Sequence, residues 1–300
     1  MTWRTVVAAH RAKIDYSMGY MVVRGRETHR IFLDEVGTVI IESTAVSLTA
    51  AWVSECIRRK IKIIFCDGKH DPAGEVLPYR GSGGTSRQVR NQARWTQERK
   101  DAVWACIAAE KIRQQAAVLA EYGCGAEAEK LLAYAAAVQP GDKDNREGHA
   151  AKVYFHTLWG KGFSRRHEDA RNGALNYGYA VLLSACNREI AAAGYLTQLG
   201  IFHDNVFNPF NLGSDLMEPF RPLIDRYVLQ LRSDDFGPEE KRGTAAVLHR
   251  TVRAGGKRVL AGQAVSMGCR RVLEAMETGE LDELRKPWYE VQIYESDDSF

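Results

Sequence analysis

No long apolar run, no paired cysteine motif and no large excess of one charge mark this 300-residue chain. Each shortage excludes something. A spanning helix needs about 18–20 uninterrupted apolar residues. The longest uncharged stretch, 172–187, holds three Asn and two Tyr, so no membrane segment is expected. The apolar segment near Met1 is too short for a secretory signal. The six cysteines are Cys56, Cys66, Cys106, Cys124, Cys186 and Cys269, and none forms a CxxC pair. That excludes a zinc ribbon or thioredoxin motif, and scattered thiols read as reduced in a cytoplasmic protein. The net charge is only +3, too small for a histone-like binder. No GxxxxGK loop, GxSxG or HExxH is present, and the glycines at 81, 83 and 84 do not fit GxGxxG. No repeat or low-complexity tract occurs.

What is present has two textures. Residues 1–80 are rich in β-formers and turn punctuation. Residues 14–24, containing Met18-Gly19-Tyr20 followed by Met21-Val22-Val23, predict a hairpin arm. Residues 30–33 and 38–41 predict two further strands with Gly37 in the turn between them. Ser43 and Thr44 are candidate caps for a helix over 45–59, and 61–66 is a short buried strand. Residues 81–88 form a glycine-rich linker. Beyond it the pattern is helical over 89–122, 127–138, 146–158, 169–199, 218–231 and 262–277. The tail from Tyr289, with its apolar residues at 291–294 followed by acids, reads as a strand, an ordered extension or a disordered end. The expected class is α+β: a small β-rich domain (1–80), then a larger all-helical domain (89–300), close to the two domains that roughly 150 residues each would give.

Basic charge is concentrated. Arg87, Arg90 and Arg94 lie near Trp95, with Glu98 the one acid between 80 and 100. Lys161, Arg165, Arg166 and Arg171 form a second cluster beside Phe163, and Arg250, Arg253, Lys257 and Arg258 a third. Such patches neutralise phosphates.

Glu147 opens a helical pattern, His203 lies where a long apolar helix gives way to a loop, and Asp215 and Glu218 open another helix. Glu147, His203 and either Glu218 or Asp215 make a mixed carboxylate–imidazole set that suits Mg²⁺ or Mn²⁺ better than zinc. The same acids fit helix capping, Asp215 with Glu218 as a capping box and Glu147 as a first-turn acid. His149 and His156 share a helix face, but His149 is out of phase with Glu147.

Four runs, in order, resemble the CRISPR-associated integrase, the metal-dependent nuclease of spacer acquisition. They are Asn145-Arg146-Glu147-Gly148-His149-Ala150-Ala151-Lys152, Asn172-Gly173-Ala174-Leu175-Asn176-Tyr177-Gly178-Tyr179, Leu199-Gly200-Ile201-Phe202-His203, and Asn208-Pro209-Phe210-Asn211-Leu212-Gly213-Ser214-Asp215-Leu216-Met217-Glu218-Pro219. The details are most similar to the type II branch, which accompanies an RNA-guided effector nuclease. The resemblance implies a metal site carried onto Glu147, His203 and Glu218, with Asp215 orienting a ligand or replacing one. It implies joining of a fragment's 3′-hydroxyl to a phosphodiester at a CRISPR repeat border, using double-stranded DNA fragments and repeat DNA. It also implies a homodimer working with a small ferredoxin-like partner and with other type II adaptation proteins. Arg87, Arg90, Arg94, Lys161, Arg165 and Arg166 are the DNA-contact candidates. The dimer contact is expected in the β-domain, where the arm presents Tyr16, Met18, Tyr20 and Met21. Two alternatives stand beside this reading: a hydrolytic repair nuclease on branched DNA, and a silent DNA-binding scaffold whose acids only cap helices.

Overall fold

The computed structural model describes residues 4–68, 72–78, 85–231 and 236–290. The strand-rich part runs β1 (Arg4–Ala8), β2 (Lys13–Ser17), β3 (Tyr20–Arg24), β4 (Thr28–Phe32), β5 (Val36–Ile41), β6 (Ser47–Leu48), α1 (Ala50–Arg58), β7 (Lys62–Cys66) and β8 (Pro72–Glu75). One sheet has the order β1-β5-β7-β8, with β5 parallel to both β1 and β7 and β8 antiparallel to β7. The other has the order β4-β3-β2-β6. The arm forms as expected, with Ser17 opposite Tyr20. Its two-residue turn needs φ above zero twice, and Met18 (φ 48) and Gly19 (φ 88) supply it.

Alternation explains the uninterrupted apolar runs in β5 and β7. Val39, Ile41 and Ile63 face a core shared with Ile14, Met21, Leu33 and Trp52. Ile40 and Ile64, one residue out of phase, face the opposite way onto Tyr177, Val181 and Ala245 of the helical part. Strands covered on both faces lose the polar-apolar alternation. Each such side chain contributes about 1.5–3 kcal/mol of burial. Ser184 Oγ donating to Glu75 Oε2 at 2.5 Å adds a polar tie across the same junction.

The helical part runs α2 (Thr85–Gln92), α3 (Gln97–Glu121), α4 (Gly125–Ala136), α5 (Arg146–Trp159), α6 (Ala170–Ala193), α7 (Asn211–Met217), α8 (Arg221–Gln230) and α9 (Pro238–Ala245). It closes with β9 (Thr251–Ala254), β10 (Lys257–Leu260), α10 (Ala261–Thr278) and α11 (Asp282–Arg285). Helix α3 is the axis of the core, burying Trp104, Ile107, Ile112 and Leu119 along its length.

Several local expectations are corrected. Gly37 lies inside β5, and the bend before it is a 3₁₀ turn at Leu33–Glu35. Ser43 and Thr44 do not cap α1. Residues Ser47–Leu48 first pair with β2, and Thr49 then caps the helix by accepting from Trp52 N. Residues 85–88 of the expected linker are the first turn of α2, while 81–84 lie outside the described residues. The pattern over 89–122 is two helices, because Thr96 restarts the chain by capping Arg99 N at 3.3 Å. Helix α6 ends at Ala193, stopped by Gly194 at φ 88. The C-terminal part is mostly helical but carries the β9–β10 hairpin, turned by Gly255 (φ 57) and Gly256 (φ 76). Met21 is fully buried in its own core rather than presented by the arm, whereas Met18 is 86% exposed. Trp288 and Tyr289 are buried and Glu290 bridges Arg253. The strand reading of 291–294 falls outside the described residues.

Candidate functional site

Glu147 stands in the first turn of α5, on a chain entry built by its neighbours. Asn145 holds φ 50, a left-handed conformation that Asn tolerates better than most residues. Its Oδ1 accepts from Gly148 N at 3.2 Å. A Cβ at Gly148 would lie 2.5 Å from that oxygen, so the motif needs glycine there. Asp142 accepts from Arg146 N at 2.8 Å and Glu147 N at 3.0 Å, leaving the Glu147 carboxylate free of capping duty.

His203 lies on the loop after α6, and the loop is organised by Asp215. That carboxylate is fully buried within α7. Its Oδ2 accepts from Ile201 N at 2.6 Å and Phe202 N at 3.2 Å, and its Oδ1 accepts from His203 N at 3.0 Å. The same Oδ1 lies 2.6 Å from His203 Nδ1. This corrects the capping-box reading of Asp215 with Glu218: Asp215 serves the preceding loop. A carboxylate on Nδ1 fixes the neutral imidazole with its lone pair on Nε2. The hydrogen bond to Asp215 pushes the His203 pKa up, with burial working against it. Gly200 permits the close pass, since a Cβ there would come within 2.2 Å of His203 O. Phe202 stacks on Trp104 of α3 at 4.2 Å, pinning the loop to the core axis, and the His203 ring stands edge-on to Trp104.

Glu218 opens a 3₁₀ turn before α8 and is buried. Burial by itself would raise its pKa, but the charges of Arg221 and Lys111 outweigh this and hold it at about 2. Arg221 Nε stands 2.8 Å from Glu218 Oε1, and its guanidinium lies 4.4 Å from the centre of the Tyr179 ring. Lys111, from the middle of α3, donates to Glu218 Oε2 and to Glu147 Oε1. Burial opposes its charge, and the two carboxylates more than compensate, so its pKa is raised. Beneath the site Tyr179 donates to the buried Asp225, whose pKa burial pushes up to about 6.

Glu147 and Glu218 therefore converge on one point, and a cation already sits there. Among the described residues no three His, Cys, Asp or Glu side chains are gathered closely enough to hold an ion together. The donor set still fits a hard divalent ion: two carboxylates around a stand-in ammonium, and an imidazole with its second nitrogen already engaged.

The basic candidates divide. Arg87, Arg90 and Arg94 are exposed along one side of α2 and the turn after it, as are Lys161 and Arg166 on the loop after α5. Arg165 is committed inward, donating to Asn172 and Asn176 and lying 5.3 Å from the Tyr179 ring centre. Trp95 packs on Tyr195 and Phe163 on Trp159, so neither aromatic stands free. Lys111, Arg221, Asp142 and Asp225 escaped sequence reasoning. Lys111 alone left a signal: it falls in phase with Trp104, Ala108, Gln115 and Val118 on a buried helix face, where a lone ammonium must have a partner.

A strand-rich unit joined to a mostly helical core, with two acids from helical elements and a carboxylate-held histidine on a loop between helices, defines an α+β class of protein. Residues 5–253 match the family model of CRISPR associated protein Cas1. The chain is 35% identical over 232 residues to the CRISPR-associated endonuclease Cas1 of Neisseria meningitidis serogroup C, covering 77% of this chain and 76% of that one. This chain belongs to the Cas1 family. Its fold is similar to that of a casposase bound to integration product (TM-score 0.78, 17% identity, 97% of this chain and 95% of that one). It is also similar to part of a chain in a Cas6-RT-Cas1–Cas2 complex (TM-score 0.72, 18% identity, 96% of this chain and 36% of that one). Among the described residues no helix is long and apolar enough to cross a membrane.

Proposed function

We propose that this protein is a divalent-metal-dependent DNA endonuclease and integrase that inserts short DNA fragments into a CRISPR array. One observation carries the reading: Glu147 and Glu218, from separate elements, converge on one cation beside a histidine oriented by a buried carboxylate. Family membership supplies the context.

Glu147, Glu218 and the Nε2 of His203 would hold Mg²⁺ or Mn²⁺. The ion supplies Lewis acidity and a template that positions the attacking and leaving oxygens. Asp215 keeps the imidazole turned and its tautomer fixed. Arg221, immobilised between Glu218 and the face of Tyr179, would add fixed positive charge beside the two carboxylates, the kind of charge that favours a phosphoryl group gaining negative charge. The attacking group is the 3′-hydroxyl of a fragment; water in its place gives simple cleavage. Arg87, Arg90 and Arg94 follow the DNA backbone, where contacts position rather than specify. Joining both ends of one fragment to separated phosphodiesters requires two such centres, so the working form is a homodimer. The Cas1–Cas2 assembly among its structural neighbours supports a small adaptation partner.

The test is strand transfer into a repeat-containing plasmid with Mn²⁺, comparing wild type with Glu147→Ala. Product that depends on a free fragment 3′-hydroxyl and on Glu147 supports the integrase. Cleavage of branched DNA without any such need would make it a repair nuclease, and DNA binding with no reaction would make it a scaffold.

A further inference from the structure

The two acids assigned to the metal already share a cation that belongs to the chain itself. Lys111 Nζ bridges Glu147 Oε1 and Glu218 Oε2 from a buried position on α3. We propose that Lys111 is a tethered counter-cation which the divalent ion must displace, and that metal loading is thereby linked to the arrival of a DNA phosphate. This rests on the metal reading of Glu147, His203 and Glu218.

Three observations carry it. The first is geometric. A dication cannot approach the same two carboxylate oxygens while an ammonium stays between them, because like charges at that separation in a buried site repel strongly. The absence of three gathered donors among the described residues agrees with a site held by lysine rather than assembled around an ion. The second is charge balance. The charges of Glu147 and Glu218 are matched by those of Lys111 and Arg221, while Asp215 is spent on three backbone N–H groups and His203 Nδ1, so the two facing carboxylates offer a dication little net attraction while the lysine stays. A phosphodiester brings the missing negative charge and gives the released ammonium a partner. The third is freedom to move. Arg221 is fixed between Glu218 and the face of Tyr179. Among the described residues Lys111 Nζ bonds to the two carboxylates alone, on a flexible four-carbon stem. Of the two cations, Lys111 is the one that can leave.

The experiment measures Mn²⁺ binding to the full chain by electron paramagnetic resonance, with and without a short DNA duplex. Wild type is expected to bind Mn²⁺ weakly alone and at least tenfold tighter with DNA. Lys111→Met should bind Mn²⁺ at least tenfold tighter than wild type without DNA, and the enhancement by DNA should shrink to a few-fold. Equal or weaker binding by Lys111→Met would overturn the proposal. Wild type that binds no Mn²⁺ under either condition, or binds it unchanged after Glu147→Ala, would instead overturn the metal reading beneath it. A measurement on wild type covers the case in which the variant fails to fold. Acylation of the Lys111 amine, read by peptide mass spectrometry, should accelerate at least fivefold on adding saturating Mn²⁺. An unchanged rate would show that the lysine stays in place and would refute the exchange.

Discussion

Replacing Asp215 by Asn tests the architecture of the site with almost no change in shape. Four donors converge on its two oxygens: the backbone N–H groups of Ile201, Phe202 and His203, and His203 Nδ1. Two fall on each oxygen. With the NH₂ group at the Oδ2 position two backbone donors lose their acceptor; at the Oδ1 position one does, because the imidazole can change tautomer and accept. Each buried donor left unpaired costs about 1–3 kcal/mol, so the loss is about 1–6 kcal/mol. At about 2 °C per kcal/mol for a chain of this size, the unfolding midpoint should fall by about 2–12 °C. If the NH₂ group takes the Oδ1 position, it faces His203 Nδ1 and favours the tautomer with its proton on Nε2. If it takes the Oδ2 position, the N–H groups of Ile201 and Phe202 are released and the loop loosens. Either way Mn²⁺ affinity should drop by about 10–100-fold, the usual effect of losing a ligand's supporting partner. Calorimetry reads the first quantity and paramagnetic resonance of bound Mn²⁺ the second. A variant that melts within 1 °C of wild type and binds Mn²⁺ equally well would refute the role given to Asp215.

Glu147→Ala, His203→Ala and Glu218→Ala should each lower strand transfer by more than about 100-fold, since a ligand matters more than its support. Glu218→Ala should also cost about 3–5 kcal/mol in denaturant unfolding, because it takes the carboxylate from buried Arg221 and leaves Lys111 with Glu147 alone; retained stability would mean that Arg221 finds another partner. Reversing Arg87, Arg90 and Arg94 to Glu should weaken binding to all DNA sequences alike and flatten the log–log salt slope by about 3, near 0.9 per lost phosphate contact; an unchanged slope would mark the patch as merely solvated. The raised pKa of Asp225, about 6, means the folded state holds a proton that the unfolded chain loses near 3.8. Its contribution to stability is complete below 3.8 and is lost as pH rises through 6, so Asp225→Asn should flatten the stability profile between these values in pH-series denaturation. Light scattering at micromolar concentration should report a dimer, and a monomer would remove the assembly argument.

Local rules made the strands readable. The hairpin arm over 14–24 and the apolar runs of β5 and β7 announced themselves, because each depends on residues near in sequence. The same locality caused the errors. Asp215 with Glu218 three residues later satisfies a capping rule on paper, but α7 begins at Asn211, so Asp215 is interior to its helix and turns to a loop twelve residues back. Met21 looks like interface on an arm considered alone, yet the second sheet closes over it.

Glu147, His203 and Glu218 could be named from the sequence because carboxylates and histidines in a recognisable order are a property of the chain, and the structure brings Glu147 and Glu218 to one ammonium. Their pairing was not. Lys111 meets Glu218 across 107 residues, and nothing within one turn of either residue points to the other. What could be inferred locally is weaker but sufficient to raise the question. A lysine in phase with Trp104 and Ala108 on the buried face of α3 must find anions, because a buried ammonium without them is too costly to keep. The anions it finds are the two acids that the motifs had already singled out. That coincidence is why the ion pair is better read as part of the reaction centre than as a structural staple. A staple between α3 and α5 could be formed by any exposed pair at lower desolvation cost. A lysine buried on the two acids proposed as metal ligands is the arrangement that exchange of the ammonium for a dication would require.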